Sequence, residues 1–169
     1  MRRQVGKRLN RRLAELGLPT LDDYRERLRA DPTEWAVLDS FFRVTISRLY
    51  RDRRVFDILR FRVLPELARA AHSPGRTIRC WCAGCACGEE VYTVELIWEL
   101  DARRNAPEAS LELIGADADL EVLYRAERGC YPSSSLESLP KDWRMLAFSR
   151  DDGEYCIRRE FRGAIAFRL

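Results

Sequence analysis

The sequence predicts an α/β protein, with a small helical N-terminal domain at residues 1–65 and a nucleotide-binding type of parallel sheet at residues 66–169. Three observations carry this prediction. Apolar residues recur at helical spacing through the first third of the chain. A loop containing Gly84 and Gly88 joins an apolar strand to a helix. A second apolar strand then ends at Asp117 and Asp119.

Residues 2–16 place Val5, Leu9, Leu13 and Leu16 on one helical face, and Gly17 follows as a stop signal. Thr20 and Asp23 have the spacing of a capping box, which opens a second helix running through Leu28. Asp31-Pro32 reads as a cap with proline at the first helical position, so a third helix should carry Trp35, Leu38 and Phe41. After a break near 45–51, a fourth helix holds Phe56, Leu59 and Leu64. Ser73-Pro74-Gly75 marks a linker, and the period then changes. Thr77 to Cys82 reads as a buried strand, Ala83 to Gly88 as a tight loop, and Glu89 to Leu100 as a helix. In that helix Tyr92, Val94, Leu96 and Leu100 are the candidate core positions. Leu111 to Ala116 is a second strand, Leu120 to Arg128 a helix stopped by Gly129, and Ala164 to Leu169 a third strand. Strand, Gly-loop, helix, strand and terminal acid form the βαβ unit of a nucleotide-binding sheet.

Composition narrows the function. The 169 residues are 46% hydrophobic and 34% charged, with 9 Gly and 7 Pro, which argues against disorder, collagen-like repeats and low complexity. No apolar run approaches the roughly 18–20 residues of a membrane span, and no apolar stretch follows the basic start as in a signal peptide. The expected location is cytoplasmic, without membrane insertion. Residues 1–65 hold 16 Lys and Arg against 9 Asp and Glu, while the remainder holds 14 against 18. The basic third is either a surface that docks nucleic acid or an acidic protein, or a solvated Arg-rich helix face. The Leu interleaving favours the second, so nucleic acid is not the expected partner.

Six cysteines in a chain of this kind are not expected to form a disulfide framework. Cys80, Cys82, Cys85 and Cys87 could present four thiolates to zinc or an iron–sulfur cluster. They equally read as small buried residues, because Cys80 and Cys82 lie in an alternating strand and no second ligand knuckle is present. The latter is favoured, and no metal ligand set is assigned.

The chemistry concentrates at the loop. Gly84 and Gly88 let backbone approach a ligand closely, and the helix that follows offers free N–H groups. Asp117, at the end of the next strand, stands where such folds hold ribose hydroxyls. Glu89 and Glu90 open the helix, where its dipole favours acids in any case. Paired acids there also suit the amino group of an amino-acid-bearing cofactor and repel a pyrophosphate, which points to S-adenosylmethionine rather than NAD.

From Arg8 to Leu169 the chain resembles the CheR-type S-adenosylmethionine-dependent methyltransferases, which methylate glutamate side chains of chemotaxis receptors. Arg8-Leu9-Asn10-Arg11-Arg12-Leu13 with Leu16-Gly17-Leu18 is similar to that family's basic helix. Glu34-Trp35 and Thr45-Ile46-Ser47-Arg48-Leu49-Tyr50-Arg51 are similar to the segment leading to its T-x-F-F-R motif. Trp81 through Tyr92, with Gly88-Glu89-Glu90-x-Tyr92, resembles its cofactor loop. Gly115-Ala116-Asp117-Ala118-Asp119, then Ala126, Gly129 and Tyr131, resemble the segment after its second strand. There are two departures from the pattern: Thr45 stands where Asn is common, and Leu49-Tyr50 replace Phe-Phe.

The resemblance implies a helical domain followed by a Rossmann-like methyltransferase domain. It implies S-adenosyl-L-methionine as cofactor, S-adenosyl-L-homocysteine as product, and an acidic protein substrate such as a chemoreceptor. Gly84, Glu90 and Asp117 would contact the cofactor, and Thr45, Ser47 and Arg51 would close over it. Arg51 would also hold the acceptor carboxylate through its planar fork. A glutamate acceptor is already ionised at neutral pH, so no general base is required, and His72 beside the linker reads as a solvated loop residue.

Against that family only about three sheet strands are expected. The later strands, an N-L segment and a small β subdomain are expected to be missing, and the first helix to be cut short at Met1. The chain therefore reads as truncated, with an open sheet edge through which an oligomer could form. A non-catalytic cofactor-binding or interaction module of the same fold is the alternative.

Overall fold

The computed structural model describes residues 2–42, 47–71, 76–162 and 165–169. The chain forms two compact units, Met1–Val44 and Thr45–Leu169.

The first unit holds α1 (Arg2–Leu16), α2 (Leu21–Ala30) and α3 (Glu34–Phe42). The capping box forms as the spacing requires: Asp23 N–H donates to the Thr20 hydroxyl, and Thr20 N–H donates to the Asp23 carboxylate at 3.0 Å. α3 begins at Glu34 rather than at Pro32, because the Asp31 carboxylate accepts the Thr33 N–H at 3.0 Å and its hydroxyl at 2.6 Å, which spends the cap on a turn. All three helices converge on Glu34, which is 2% exposed. Its carboxylate accepts Arg12 Nε and Nη2 from α1 at 2.9 and 2.8 Å, and the Tyr24 hydroxyl from α2 at 2.8 Å. Arg8 donates to the carbonyls of Ser40 and Phe41. Two arginines of the basic first helix thus serve the unit's own packing.

The second unit opens with α4 (Arg53–Ile58), a π-helical turn (Leu59–Val63) and α5 (Leu64–Ala70), which together make one unbroken helical run. Next come β1 (Thr77–Ala83), α6 (Glu89–Leu100), β2 (Ser110–Ala116) and α7 (Leu120–Arg128), then β3 (Cys130–Tyr131), α8 (Lys141–Ala147), β4 (Phe148–Asp151), β5 (Glu154–Ile157) and β6 (Ile165–Arg168). The division at Val44/Thr45 corrects the expected boundary at residue 65. Phe56, Leu64, Ala68 and Ala71 belong to the same core as the sheet, and Arg60 pairs with Asp101 and lies 4.4 Å from the Trp143 ring centre.

β1, β2 and β6 form a parallel sheet in that order, with Cys82, Gly115 and Phe167 in one register row. The three predicted strands are these three, and the predicted helix Glu89–Leu100 is α6. Leu111 and Leu113 of β2 are buried on one face. On the other face Trp81 is 69% and Ile114 38% exposed, beside an Arg79–Glu112 ion pair at 3.1 Å. Among the described residues β1 has a strand neighbour on one edge only.

A second sheet, absent from the expectation, occupies the mixed stretch after α7. β3, β5 and β4 pair antiparallel, and Asp152-Gly153 forms the two-residue β4–β5 turn with φ of 43° and 81°. A small antiparallel sheet is thus present where none was expected. It also corrects the cysteine expectation: Cys130 and Cys156, directly opposed on β3 and β5, are joined by a disulfide. Their separation of 26 positions concealed the pairing. No helix of the described residues is long and apolar enough to cross a membrane.

Candidate functional site

The 83–88 loop lies where β1 and β2 end side by side. Gly84 N–H and Cys85 N–H both donate to the Ala116 carbonyl, at 2.7 and 2.9 Å. Gly84 has φ +71°, and no atom lies within 4 Å of where a side chain would begin, so its flank is open. Gly88 is the opposite case. It caps α6 with φ +84°, and a Cβ there would come 2.9 Å from Ala126 Cβ and 3.2 Å from the Phe167 ring.

Asp117 leaves β2 half-buried and turns into the loop. One carboxylate oxygen accepts the Ala86 N–H at 2.9 Å, and the other accepts the Asp119 N–H at 3.1 Å. Ala86 itself has φ 47°, a left-handed conformation that this contact holds. Each carboxylate oxygen keeps a second lone pair for a ligand hydroxyl. Asp119 then caps α7, accepting the Glu121 N–H at 3.0 Å.

The two helix-opening acids differ. Glu90 is exposed, whereas Glu89 is 4% exposed, and its Oε2 has no hydrogen-bond partner among the described residues. Burial raises the Glu89 carboxyl above the ordinary range. The structure therefore brings Gly84, Glu90 and Asp117 to one end of the sheet, with an open glycine and two carboxylates. That donor set fits S-adenosylmethionine, whose amino group and ribose hydroxyls both call for acceptors.

The segment carrying Ser47 and Arg51 is fixed beside α6 by the residues between them. Leu49 and Tyr50 are 0% and 1% exposed. Leu49 N–H donates to the Ser135 carbonyl at 3.0 Å. Tyr50 N–H donates to the Thr93 hydroxyl at 3.0 Å, and that hydroxyl donates to the Glu89 carbonyl at 2.6 Å. Ser47 is half-buried and Arg51 exposed. Thr45 lies outside the described residues. Thr93 was not foreseen as a site residue; a short hydroxyl between Tyr92 and Val94 in a buried helix is the signal that marks it. Tyr131 enters the sequence reading only through the family resemblance. Its hydroxyl donates to the Cys87 carbonyl at 2.7 Å and supports the loop from beneath.

The cysteines do not converge. Cys80 and Cys82 share one face of β1, while Cys85 and Cys87 are each 2% exposed in the loop. Among the described residues no three His, Cys, Asp or Glu are grouped so as to hold a metal ion. The Cys82 thiol donates to Cys80 and brings its titration down to about 7, against the opposing effect of burial. Burial pushes Cys85 up to about 11. Brief alkylation with iodoacetamide at pH 7.5 should therefore label Cys80 roughly tenfold faster than Cys85. Peptide mass spectrometry reads the ratio, and equal rates would remove the Cys82 contact as a cause.

Residues 45–169 match the family model described as CheR methyltransferase, SAM binding domain. The chain belongs to the CheR methyltransferase family. Residues 2–39 match the model described as CheR methyltransferase, all-alpha domain. The SAM binding domain of this family member thus contains the loop, Asp117 and the Ser47–Arg51 segment, together with the antiparallel sheet. The chain is 32% identical over 161 residues to a probable chemotaxis protein methyltransferase of Rhizobium etli, covering 94% of this chain and 58% of that protein. It is 30% identical over 149 residues to a chemotaxis protein methyltransferase of Listeria innocua, covering 88% and 54%. It is also 32% identical over 164 residues to an uncharacterized 104.1 kDa protein of Rhodobacter capsulatus, covering 96% and 17%. The chain therefore spans little more than half the length of the chemotaxis methyltransferases it matches.

Proposed function

We propose that the second unit binds S-adenosylmethionine at the 83–88 loop and forms the cofactor half of a protein-glutamate O-methyltransferase. The observation that carries this reading is Asp117, whose carboxylate holds the Ala86 N–H while the flank of Gly84 stays open. In the reading, Asp117 accepts the ribose hydroxyls, Glu90 accepts the amino group, and Gly84 admits the cofactor to the backbone. Ser47, Arg51 and Thr45 close the site from the segment before α4. The cofactor, when bound, supplies a methyl group on a sulfonium centre.

The chain's own task is alignment, because a glutamate acceptor is ionised at neutral pH and asks for no base. Arg51 holds that carboxylate through two parallel N–H donors, a geometry Lys lacks. The acceptor is an acidic segment of a protein; the relatives' names point to a chemotaxis protein, and the family resemblance to a chemoreceptor. Because Thr45 stands where the family commonly has Asn, a cofactor-binding module without turnover is the second reading.

Calorimetric titration with S-adenosylhomocysteine tests the site. Micromolar binding is expected, and Asp117→Ala should weaken it about tenfold or more, as the loss of hydrogen bonds to a charged group implies. Failure of the folded protein to bind would sink the proposal. Binding without methyl transfer to acidic peptides would leave the second reading.

A further inference from the structure

β3 is only Cys130 and Tyr131, yet each of its side chains is tied elsewhere. Cys130 is bonded to Cys156 of β5, and the Tyr131 hydroxyl holds the Cys87 carbonyl of the 83–88 loop at 2.7 Å. Tyr131 is 2% exposed, and its ring meets Tyr92 edge-on at 6.2 Å. Beside it, Gly129 leaves 2.8 Å between a would-be Cβ and Ile157, so β3 has no slack against β5. The main chain adds two residue pairs and an Ile157 N–H bond to the Gly129 carbonyl. A covalent tie and a short strand therefore lead from the antiparallel sheet to the floor of the loop.

Both half-cystines are half-buried rather than enclosed. Cys156 lines a surface groove of about 670 Å³ with Ser149, Arg158, Arg159 and Arg162. Three guanidinium groups beside a reachable disulfide attract an anion and stabilise a thiolate formed there. The nearby Glu154 is occupied by Arg128.

We propose that Cys130–Cys156 is an exchange site for an anionic low-molecular-weight thiol of the glutathione class, and that opening it loosens the 83–88 loop. The thiolate attacks Cys156 Sγ from the groove, the sulfur–sulfur bond breaks, and Cys130 Sγ leaves as a thiolate that takes a proton from solvent. A second thiol attacks the mixed disulfide and releases Cys156. In sum, one protein disulfide is reduced and two thiols are oxidised to their disulfide. With the bond open, the covalent tie is gone and β3 is held to β5 by its two-residue pairing and the Ile157–Gly129 hydrogen bond, so Tyr131 holds the loop less firmly. The effect on cofactor affinity rests on the reading given under Proposed function, whereas the effect on the loop does not.

Cys85 and Cys87, each 2% exposed, are built-in reporters of the loop. The full chain, prepared with the disulfide closed, would be treated with reduced glutathione at pH 7.5 and pulsed with a maleimide, then analysed by peptide mass spectrometry. A glutathione adduct at Cys156 is expected, with Cys85 and Cys87 labelling about tenfold faster once the bond is open. Cys130→Ser with Cys156→Ser should label at the fast rate with or without glutathione. Arg158→Ser with Arg159→Ser should slow opening by glutathione at least about threefold, with little change for uncharged 2-mercaptoethanol. S-adenosylhomocysteine should bind roughly tenfold more weakly to the open form. Equal labelling of the loop cysteines in closed and open forms would overturn the proposal, as would absence of any adduct. Loss of S-adenosylhomocysteine binding in both forms, with labelling still responsive, would overturn the cofactor reading and leave the exchange site standing.

Discussion

Glu95→Gln is expected to stabilise the second unit by about 3 kcal/mol at pH 8, and to change nothing below about pH 4. Glu95 lies on α6 at 2% exposure, and its Oε2 has no hydrogen-bond partner among the described residues. Burial pushes its carboxyl up from 4.5 to about 7; Glu99 adds to the rise and Arg103 opposes it. An acid raised in the folded state is carried protonated at low pH without cost. Its stability contribution is intact below 4.5, falls as pH rises through 4.5 to about 7, and is lost above that. Glutamine keeps the shape and has no charge to bury at any pH. Thermal melts of both proteins from pH 4 to 9 should therefore start together and separate by about 8 °C at the alkaline end. Curves that run parallel across the whole range would mean that Glu95 is solvated and ionised at neutral pH.

Arg12→Ala should cost the first unit about 3 kcal/mol at pH 7. The guanidinium is the bidentate partner of Glu34, which is 2% exposed, and without it Tyr24 alone faces a buried carboxylate. Arg12 holds Glu34 below its ordinary range, chiefly through those hydrogen bonds and against the opposing effect of burial. The stability from this depressed acid is present above 4.5 and disappears as pH falls through the folded value. The damage done by Arg12→Ala should thus be largest near neutrality and shrink on acidification, as the orphaned Glu34 takes a proton. A unit of three short helices has little core with which to absorb such a loss. Amide hydrogen exchange on α1–α3 reads it locally. Arg12→Met combined with Glu34→Leu should recover most of the stability, because a buried ion pair exchanges well for apolar packing. A loss below about 0.5 kcal/mol in the single variant would class the pair with surface ion pairs.

Much of this architecture was legible because local signals agreed with tertiary need. The Thr20 capping box, the α6 bounds, the Gly129 stop and the three parallel strands were all written in spacing and turn residues. The gathering of Gly84, Glu90 and Asp117 at one end of the sheet was also legible, because strand ends bring residues to one edge whatever the rest of the fold does. The second sheet escaped because its strands have only two to four residues, too short for an alternating pattern to stand out. Its one local signal, Asp152-Gly153 between short β segments, went unread. The Cys130–Cys156 bond went with it. The domain boundary was set too late because Phe56 and Leu64 look alike in any helical core; only their neighbours show which core they join. Burial of Glu95 has no local signature either, since it follows from how many elements surround α6.

The Phe167 ring against Gly88 and Gly115 has a consequence for the order of events during synthesis. Phe167 closes within 3.2 Å of where side chains would begin at those two glycines, so it seals the underside of the loop. Yet β1, α6 and β2 precede it in the chain, and β6 is the last described strand to leave the ribosome. At ordinary elongation rates roughly 3 to 10 seconds separate the completion of β2 from the emergence of β6. During that interval the nascent βαβ unit presents a bare glycine-lined surface and a loop without its floor. The antiparallel sheet is translated in the same window, so Tyr131, the partner of the Cys87 carbonyl, is made before Phe167. On a chain halted between these points only Tyr131, of the two groups that close on the loop, has been made.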